Sequence, residues 1–327
     1  MIRRSLATAS CVFALLALVA CGGESESGTA RRFVNIGSAP PGGAFFVVGS
    51  ALGEVLNEHQ SEANWQVTTE ATQGTMENIR RLTAGDLDLA LANAAITYFA
   101  VRGEGDWDQA HDVRSVMTLA PNVGMFLTTT SSGVKTMADL KGNRVVVGPP
   151  GAGMEYFLRP MLAAHGITFD DITPLNGNQD AAVGMIGDGS AAATFLGGAI
   201  PTASITQAAS SLDVHFIPLD PAARQSLIET YPFFNAATIP AGTYRNQDEA
   251  VESLNVGAMH LITAANADEE LIYQVTKTLY ENRASVVEKH AAGRAINAEN
   301  VVRDTGTEFH PGAIRYYREI GIWPEGR

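Results

Sequence analysis

Short apolar runs alternate along the chain with glycine-bearing segments and with stretches whose apolar residues recur at helical spacing. From Phe33 onward, four units show the same order of apolar strand, glycine-bearing loop and amphipathic helix. This alternation is typical of helices layered on mostly parallel sheets. The pattern therefore predicts an α/β fold from residue 33 onward.

The first two units each predict a strand followed by a helix. A strand at 33–36 leads into a helix over Ala44–Glu58. A strand at 65–70 leads into a helix that Thr75 caps, because Thr is favoured at helix N-caps. This second helix is expected to end before Gly85, which suits a left-handed C-terminal cap.

The third and fourth units repeat this order in the middle of the chain. A strand at 144–148 precedes a glycine-rich loop and a helix over Met154–His165. A strand at 191–196 precedes a pair of glycines and a helix over Ala199–Ser210. Parallel strands joined by such helices form an open, doubly wound sheet.

Two similar apolar segments with one glycine each, 121–128 and 254–263, are candidates for crossings between two lobes. If both cross, residues 31–120 plus 250–327 form lobe I and residues 121–249 form lobe II. A crevice between the lobes would then hold a ligand, because clefts form at domain interfaces and sheet switch points. Two buried strands of one sheet remain an alternative.

The four loops place helix N-termini at the carboxyl ends of parallel strands. A helix N-terminus presents unpaired N–H groups and a positive dipole end, so it can hold a carboxylate or phosphate. For any single loop, a tight turn that needs glycine on steric grounds is an alternative. Four such loops around one crevice favour an anion site.

Composition and charge narrow the possible functions. The chain has 327 residues, 46% of them hydrophobic, and its formal charge is −13 from 22 basic and 35 acidic side chains. These values are typical of a globular protein and exclude collagen-like and disordered chains. An acidic chain without a Lys/Arg stripe is not expected to bind nucleic acid, because nothing replaces the phosphate counterions.

The N-terminal segment has the pattern of an export signal. Met1–Arg4 is basic, and the apolar run Val12–Ala20 is too short to span a bilayer. The signal would comprise residues 1–20, and its last three residues with the next one read Leu-Val-Ala-Cys, which resembles a bacterial lipobox with Cys21 as the lipidated residue. Residues 21–30 would form a flexible tether, placing the protein outside the cytoplasm on a membrane. An uncleaved anchor or a chance cysteine is the alternative.

Motifs for catalysis are missing from the sequence. None of the seven histidines stands in an H-E-x-x-H pair, and no G-x-S-x-G elbow occurs. The glycine loop at 148–153 satisfies neither the G-K-[ST] nor the G-x-G-x-x-G pattern. No cysteine follows Cys21. We therefore expect no catalytic residue, no metal and no cofactor.

Many short motifs, in one order over nearly all of the chain after the signal, resemble the TAXI family of solute-binding proteins from TRAP transporters. They are Gly37–Asn57, Thr72–Asn78, Gly85–Ala90, Asp139–Gly148, Gly148–Glu155, Gly197–Pro201, Tyr231–Pro232, Ile239–Tyr244, Thr276–Asn282 and His310–Tyr317.

This resemblance implies a two-lobed type II periplasmic-binding-protein fold with hinge strands and a central ligand cleft. It implies closure on a small organic anion, such as glutamate or a 2-oxoglutarate-like carboxylate, and delivery to an ion-coupled TRAP permease by a monomer. A sensor that signals to a membrane kinase is an alternative. An enzyme on the same fold is another, because fold alone does not decide function.

The resemblance also implies the ligand-binding residues. Backbone N–H groups of Gly43 to Phe45 and of Gly153 to Met154 would donate to the ligand, as would the side chains of Thr72, Thr75 and Asn93. Apolar residues, Phe45 or Phe46 in the first loop and Met154 in the third, stand where the family often has a hydroxyl, so a partly hydrophobic ligand is compatible with the sequence. The full set is Gly43, Ala44, Phe45, Thr72, Gly74, Thr75, Asn78, Asn93, Gly151, Gly153, Met154, Glu155, Gly197, Gly198 and Pro201.

For Asn78 and Glu155 a structural role stands beside the binding role. Asn78, at the third position after Thr75, could serve the start of the helix. Glu155 could complement the helix dipole.

Overall fold

A computed structural model describes residues 31–41, 44–60 and 64–326. The expected signal and tether, with Cys21, lie outside these residues, and so does Gly43 of the first loop.

The strands form two sheets. In chain order they are β1 (Arg32–Gly37), β2 (Trp65–Glu70), β3 (Leu89–Asn93), β4 (Val113–Thr118), β5 (Val123–Thr129), β6 (Arg144–Val146), β7 (Thr173–Leu175), β8 (Ala193–Gly198), β9 (Val214–Ile217), β10 (Phe234–Ile239), β11 (Val251–Val256) and β12 (Met259–Ala264).

The α-helices alternate with these strands, and short 3₁₀ turns fill some of the connections. They are α1 (Ala44–Glu58), α2 (Thr75–Ala84), α3 (Ala94–Ala100), α4 (Glu155–Ala164), α5 (Gln179–Gly187), α6 (Ala203–Ser211), α7 (Pro221–Thr230), α8 (Glu269–Glu281), α9 (Arg283–Lys289) and α10 (Pro311–Glu319).

The first sheet has the strand order β2-β1-β3-β12-β4. β1 is parallel to β2 and β3, whereas β12 runs antiparallel to β3 and β4. The apolar residues of α1 pack on this sheet together with α8 and α10, and the tyrosines of α10, Tyr316 and Tyr317, are almost fully buried there. This apolar cluster is the core of the first lobe.

The second sheet has the order β10-β11-β5-β8-β6-β7, with β9 paired to β5. β6 is parallel to β7 and β8, and β5 is antiparallel to β8 and β11. Two apolar clusters cover this sheet: α4 and α7 contribute to one of them, and α5 and α6 contribute to the other.

The chain passes between the sheets twice, after β4 and after β11. The Asn122 N–H donates to Asn255 Oδ1 at 3.0 Å, and the Val256 N–H donates to the Asn122 carbonyl at 2.9 Å. One step further, the Met259 N–H donates to the Ala120 carbonyl at 2.9 Å. The two crossings are therefore hydrogen-bonded to each other, and we call the segments 119–122 and 257–258 the hinge.

The return crossing lies between Val256 and Met259, inside the expected segment 254–263, because β11 pairs with β10 and β5 of the second sheet. Two local expectations need correction. α6 begins at Ala203 and not at Ala199, because β8 continues to Gly198 and the residue before a proline is disfavoured in helix. Thr75 is the first helical residue, and Gly74 with φ of 105° is the N-cap.

Candidate functional site

Six helices each follow a strand that is paired in parallel with a neighbour in its sheet. In the first lobe, β1, β2 and β3 lead into α1, α2 and α3, and in the second lobe β6, β7 and β8 lead into α4, α5 and α6. Helices that follow parallel strands start at the carboxyl edge of the sheet. Each lobe therefore directs three helix N-termini to one edge.

Thr72 and Asn78 join the loops of the first lobe to one another. Thr72 Oγ1 donates to the Ser38 carbonyl and accepts from the Gly74 N–H, both at 3.1 Å. Asn78 is fully buried, and its Nδ2 donates to the carbonyls of Ser38 and Leu91 at 2.7 and 2.8 Å. Asn78 thus fixes the start of α2 against β1 and β3, which is a structural role.

Thr75 and Asn93 connect α2 to the hinge. Thr75 Oγ1 accepts from the Asn93 N–H at 3.0 Å. Asn93 caps α3, because its Oδ1 accepts from the N–H groups of Ala95 and Ile96, and its Nδ2 donates to the Gly257 carbonyl at 2.9 Å. The Thr75 O–H and one N–H of Asn93 Nδ2 have no acceptor among the described residues, so they remain as side-chain donors for a ligand.

The third loop brings the start of α4 against the first lobe. A Cβ built on Gly153 would lie 2.9 Å from Ile96 Cδ1 and 3.2 Å from Met76 Cγ. Gly153 has φ of 77°, a backbone conformation that favours glycine. Since Met76 is in the first turn of α2 and Ile96 in the first turn of α3, three helix N-termini converge at Gly153.

Met154 and Glu155 complete the start of α4. Met154 is the N-cap residue without a side-chain cap, and its thioether packs against Gly148. Glu155 is half-buried in the first turn, where a carboxylate complements the helix dipole. Gly151 is exposed in the same loop.

The fourth loop lies beside the first crossing. A Cβ on Gly197 would lie 3.3 Å from Asn122 Oδ1, so the strand passes close to the hinge here, and a larger residue would need a small shift of its neighbours. Gly198 is the last residue of β8, and Pro201 is exposed one residue before the Thr202 cap of α6. The first loop supplies Ala44 and Phe45, which are partly buried against the first-lobe core.

Three of the helix starts have unused backbone donors. α2, α4 and α6 have no side-chain cap, whereas Asn93 caps α3 and Asn178 caps α5. The N–H groups of Thr75, Met154 and Ala203 find no acceptor within the described part of the chain. Such groups carry the positive end of the helix dipole and suit an anionic ligand.

The loops at this edge carry no basic side chain. The segments at 38–41, 71–75, 148–154, 176–178 and 197–202 contain neither Lys nor Arg. An anion bound there would be held by backbone N–H groups, hydroxyls and amides. The family-derived set includes backbone positions at the starts of α2 and α4, whereas the side-chain donors of Thr72 and Asn78 are occupied by protein carbonyls.

Ser38, α3 and Gly257 were not expected at the site. The Ser38 carbonyl accepts from both Thr72 and Asn78, and α3 is a short apolar helix over Ala94–Ala100 whose first residues pack in a core cluster of the second lobe. Gly257 has φ of 110° and packs against the Asn93 side chain. The Val-Gly pair in the second crossing was the available signal for this hinge glycine.

A buried histidine follows the hinge. His260 is fully buried, and its Nε2 lies 2.9 Å from Thr97 Oγ1. Thr97 Oγ1 donates to the Asn93 carbonyl, so it accepts from the His260 Nε2–H. Burial lowers the pKa of His260 to about 3, and the ring is therefore neutral at physiological pH.

Two further properties concern the described residues as a whole. Residues 31–41, 44–60 and 64–326 hold no group of three or more His, Cys, Asp or Glu side chains arranged to bind a metal ion. None of the helices in this part combines the length and hydropathy needed to cross a bilayer.

A family sequence model and several solved structures match this chain. The sequence model of the NMT1-like family matches residues 36–321. PhnD1 from Prochlorococcus marinus, solved with methylphosphonate, is 10% identical, with 88% of this chain and 96% of that chain covered and a TM-score of 0.55.

Two further solved structures match over most of their length. A Xanthomonas citri protein solved with ATP is 10% identical over 88% of this chain and 95% of its own, with a TM-score of 0.53. A binding-protein component of an ABC phosphonate transporter from Pseudomonas aeruginosa is 13% identical. The match covers 80% of this chain and 78% of that chain, with a TM-score of 0.51. These likenesses confirm the expected two-lobed periplasmic-binding-protein fold.

Proposed function

The chain belongs to the NMT1-like family, and from this membership and its fold we propose that it is an extracytoplasmic solute-binding protein. Its two lobes close on a small organic anion, and the closed protein delivers that anion to a membrane permease. It acts by binding and release, and it catalyses no reaction.

The observation that carries this proposal is the convergence of helix N-termini at the inter-lobe crevice. Gly153 of the second lobe touches the first turns of α2 and α3 of the first lobe. The uncapped starts of α2 and α4 meet here, and their free N–H groups can surround one anionic group. An anion that bridges both lobes binds the closed arrangement better than the open one, so binding drives closure.

The ligand class that we propose is a carboxylate such as glutamate or a 2-oxoglutarate-like dicarboxylate. The loops supply neutral donors, and Met76, Ile96 and Met154 place apolar surface beside them. This combination suits a small anion with a partly apolar body. Because PhnD1 of Prochlorococcus marinus was solved with methylphosphonate, phosphonates are the competing anion class for this crevice.

The transport context is also part of the proposal. The family-like motifs support a TAXI protein that serves an ion-coupled TRAP permease, and the P. aeruginosa likeness makes an ABC permease the competing partner. The lipobox-like ending at Cys21 supports anchoring of a monomer to the outer face of a membrane through lipid. We propose lobe I as residues 31–120 with the C-terminal part of the chain, and lobe II as the residues between the crossings.

Thermal unfolding against a ligand panel tests the proposal. The full chain is denatured to remove carried-over ligand, refolded, and mixed with mono- and dicarboxylates, amino acids, phosphonates, sulfonates and neutral sugars. A ligand at 100 times its Kd stabilises the folded state by about 2.7 kcal/mol and raises the Tm by several degrees. We expect a shift with one class of organic anion, whereas a shift with sugars alone would contradict the proposal.

A further inference from the structure

Tyr156 of the second lobe is inserted into the first lobe. This residue lies in the first turn of α4 and is 6% exposed. Its ring lies 5.4 Å from the ring of Phe99 and is stacked on Trp107 at 6.2 Å, as measured between ring centroids. Its hydroxyl accepts a hydrogen bond from the Asp106 N–H at 3.0 Å.

The shape of the first lobe fits this ring closely. Gly105 has φ of 71°, and a Cβ at this position would lie only 2.6 Å from Tyr156 Cε1. The backbone of Gly105 therefore lies directly on the ring, where any side chain would collide with it. Phe99, Gly105, Asp106 and Trp107 together form a socket for Tyr156, and they belong to α3 and to the connection between α3 and β4.

The contacts satisfy both the apolar and the polar part of the side chain. An aromatic ring gains stability from burial and from tilted or offset contacts with other rings. The buried phenol oxygen accepts from a backbone donor, so the oxygen is not left without a partner. Burial also raises the pKa of Tyr156, and the hydroxyl stays protonated at physiological pH.

The socket is coupled to the crevice through α4. Tyr156 follows Met154 and Glu155, whose N–H groups are at the start of this helix, so insertion of the ring fixes these donors opposite α2 and α3. A ligand in the crevice and the ring in the socket thus favour the same arrangement of the lobes.

We propose that Tyr156 is a closure latch: its insertion into the Gly105–Trp107 socket holds the lobes closed and positions the start of α4 across the crevice. Ligand release then requires withdrawal of Tyr156 from the socket. The role in release rests on the proposed binding function, whereas the effect of the latch on the lobes is present without ligand.

Inter-lobe distances in the ligand-free protein test this latch. The full chain carries Cys11→Ser and Cys21→Ser, and spin labels are placed at Asn266→Cys and Gln207→Cys, one exposed position on each lobe. Tyr156→Ala empties the socket. Gly105→Ala fills it, and Gly133→Ala is its matched control, because Gly133 also has a positive φ, of 81°, but has open space around its Cβ position.

We expect a short, narrow distance distribution for the wild type and for Gly133→Ala. Tyr156→Ala and Gly105→Ala should give longer and broader distributions. Folded variants that keep the wild-type distribution would overturn the latch. A wild-type distribution as long as that of Tyr156→Ala would also overturn it.

A second variant tests the hydrogen bond without removing the ring. Tyr156→Phe leaves the Asp106 N–H without its acceptor. Hydrogen exchange of this amide should be about threefold to tenfold faster than in the wild type, as expected for loss of one hydrogen bond. Unchanged exchange would show that the ring does not occupy the socket in solution. Neither experiment needs ligand, so a failed binding panel and a failed latch are distinguished.

Discussion

At the scale of single residues, His260 links stability to pH. Its folded-state pKa of about 3 lies below the ordinary value of 6.5, because the ring is buried. The unfolded chain therefore binds more protons as the pH falls below 6.5, and stability is lost between that pH and pH 3. Burial also lowers the pKa values of His111 and His310, so these residues add to the same loss.

Chemical denaturation at several pH values measures this effect. Between pH 6.5 and about 3, the buried neutral His260 is expected to remove about 1.4 kcal/mol of stability per pH unit. His260→Gln cannot be protonated and should flatten the slope by that amount. His215→Gln, which replaces a half-buried histidine, is the control. An unchanged slope in His260→Gln would contradict the account of the buried ring.

Gly257 provides a second residue-scale prediction, at the hinge. In Gly257→Ala the new Cβ would collide with Asn93 Oδ1 and would lie 2.7 Å from the Ala95 N, at a φ of 110°. We expect a loss of about 3 kcal/mol or more in the free energy of unfolding. Gly85 has a φ of 83° and open space around its Cβ position. Gly85→Ala should therefore lower the free energy of unfolding by only about 1–2 kcal/mol. Equal losses would show that the Asn93 contact is unimportant.

The sequence predicts the kinds of residue at the crevice better than it predicts their individual roles. Thr72 and Thr75 stand beside Gly74, and Asn93 ends β3. Hydrogen-bonding residues at such positions can serve either a ligand or the backbone. The Thr72 hydroxyl both donates to and accepts from backbone groups. The Thr75 O–H and one N–H of Asn93 Nδ2 have no acceptor among the described residues. Whether Thr72 and Asn93 bond to the protein or remain available to a ligand depends on the carbonyls of Ser38 and Gly257. These two residues are distant in sequence from the side chains that they bind.

At the scale of elements, the start of α6 offers a way to remove a single backbone donor. Ala203 is exposed at the first helical position after Thr202, which has extended backbone. Proline is tolerated at this position, so Ala203→Pro removes the N–H and keeps the helix. Ala203→Ser retains the N–H and is the control.

The binding assay for this pair uses the anion that the thermal panel selects. If the α6 N-terminus holds that anion, Ala203→Pro should weaken binding about tenfold to a hundredfold, as expected for a hydrogen bond to a charged group. The Tm without ligand should stay within a few degrees of the wild type. Equal affinity in Ala203→Pro and Ala203→Ser would remove α6 from the site.

Long elements with clear periodicity are predictable here, and short ones are not. α1 spans Ala44–Glu58 as expected, because a long apolar face repeats at helical spacing. α3 has only seven residues, nearly all of them apolar, so its sequence shows no amphipathic period. The start of α6 was misplaced because Gly197 and Gly198 were interpreted as a loop, whereas they end β8.

At the scale of the whole molecule, charge opposes the proposed ligand. The chain carries a formal charge of −13, and the crevice loops contain no Lys or Arg. Salt screens the repulsion between the acidic protein and an incoming anion. The association rate should therefore rise about twofold between 20 and 200 mM salt, as measured by stopped-flow fluorescence. A strong fall with salt would indicate a basic side chain in the site.

The two-lobed arrangement was predictable because the motifs resemble a family and because two similar segments mark the crossings. The return crossing, between β11 and β12, lies inside the expected segment 254–263. The contact of Tyr156 with its socket was not predictable, because it joins residues about 50 positions apart through the closure of the lobes.

We propose that a small anion binds between the lobes to helix N-termini and not to basic side chains. This is best examined in a crystal structure of the refolded chain with the anion selected by the thermal panel. We expect one anion beside Gly153, with its oxygens within hydrogen-bonding distance of N–H groups at the starts of α2 and α4. An anion bound outside the crevice, or paired with a Lys or Arg side chain, would show that this binding mode is wrong.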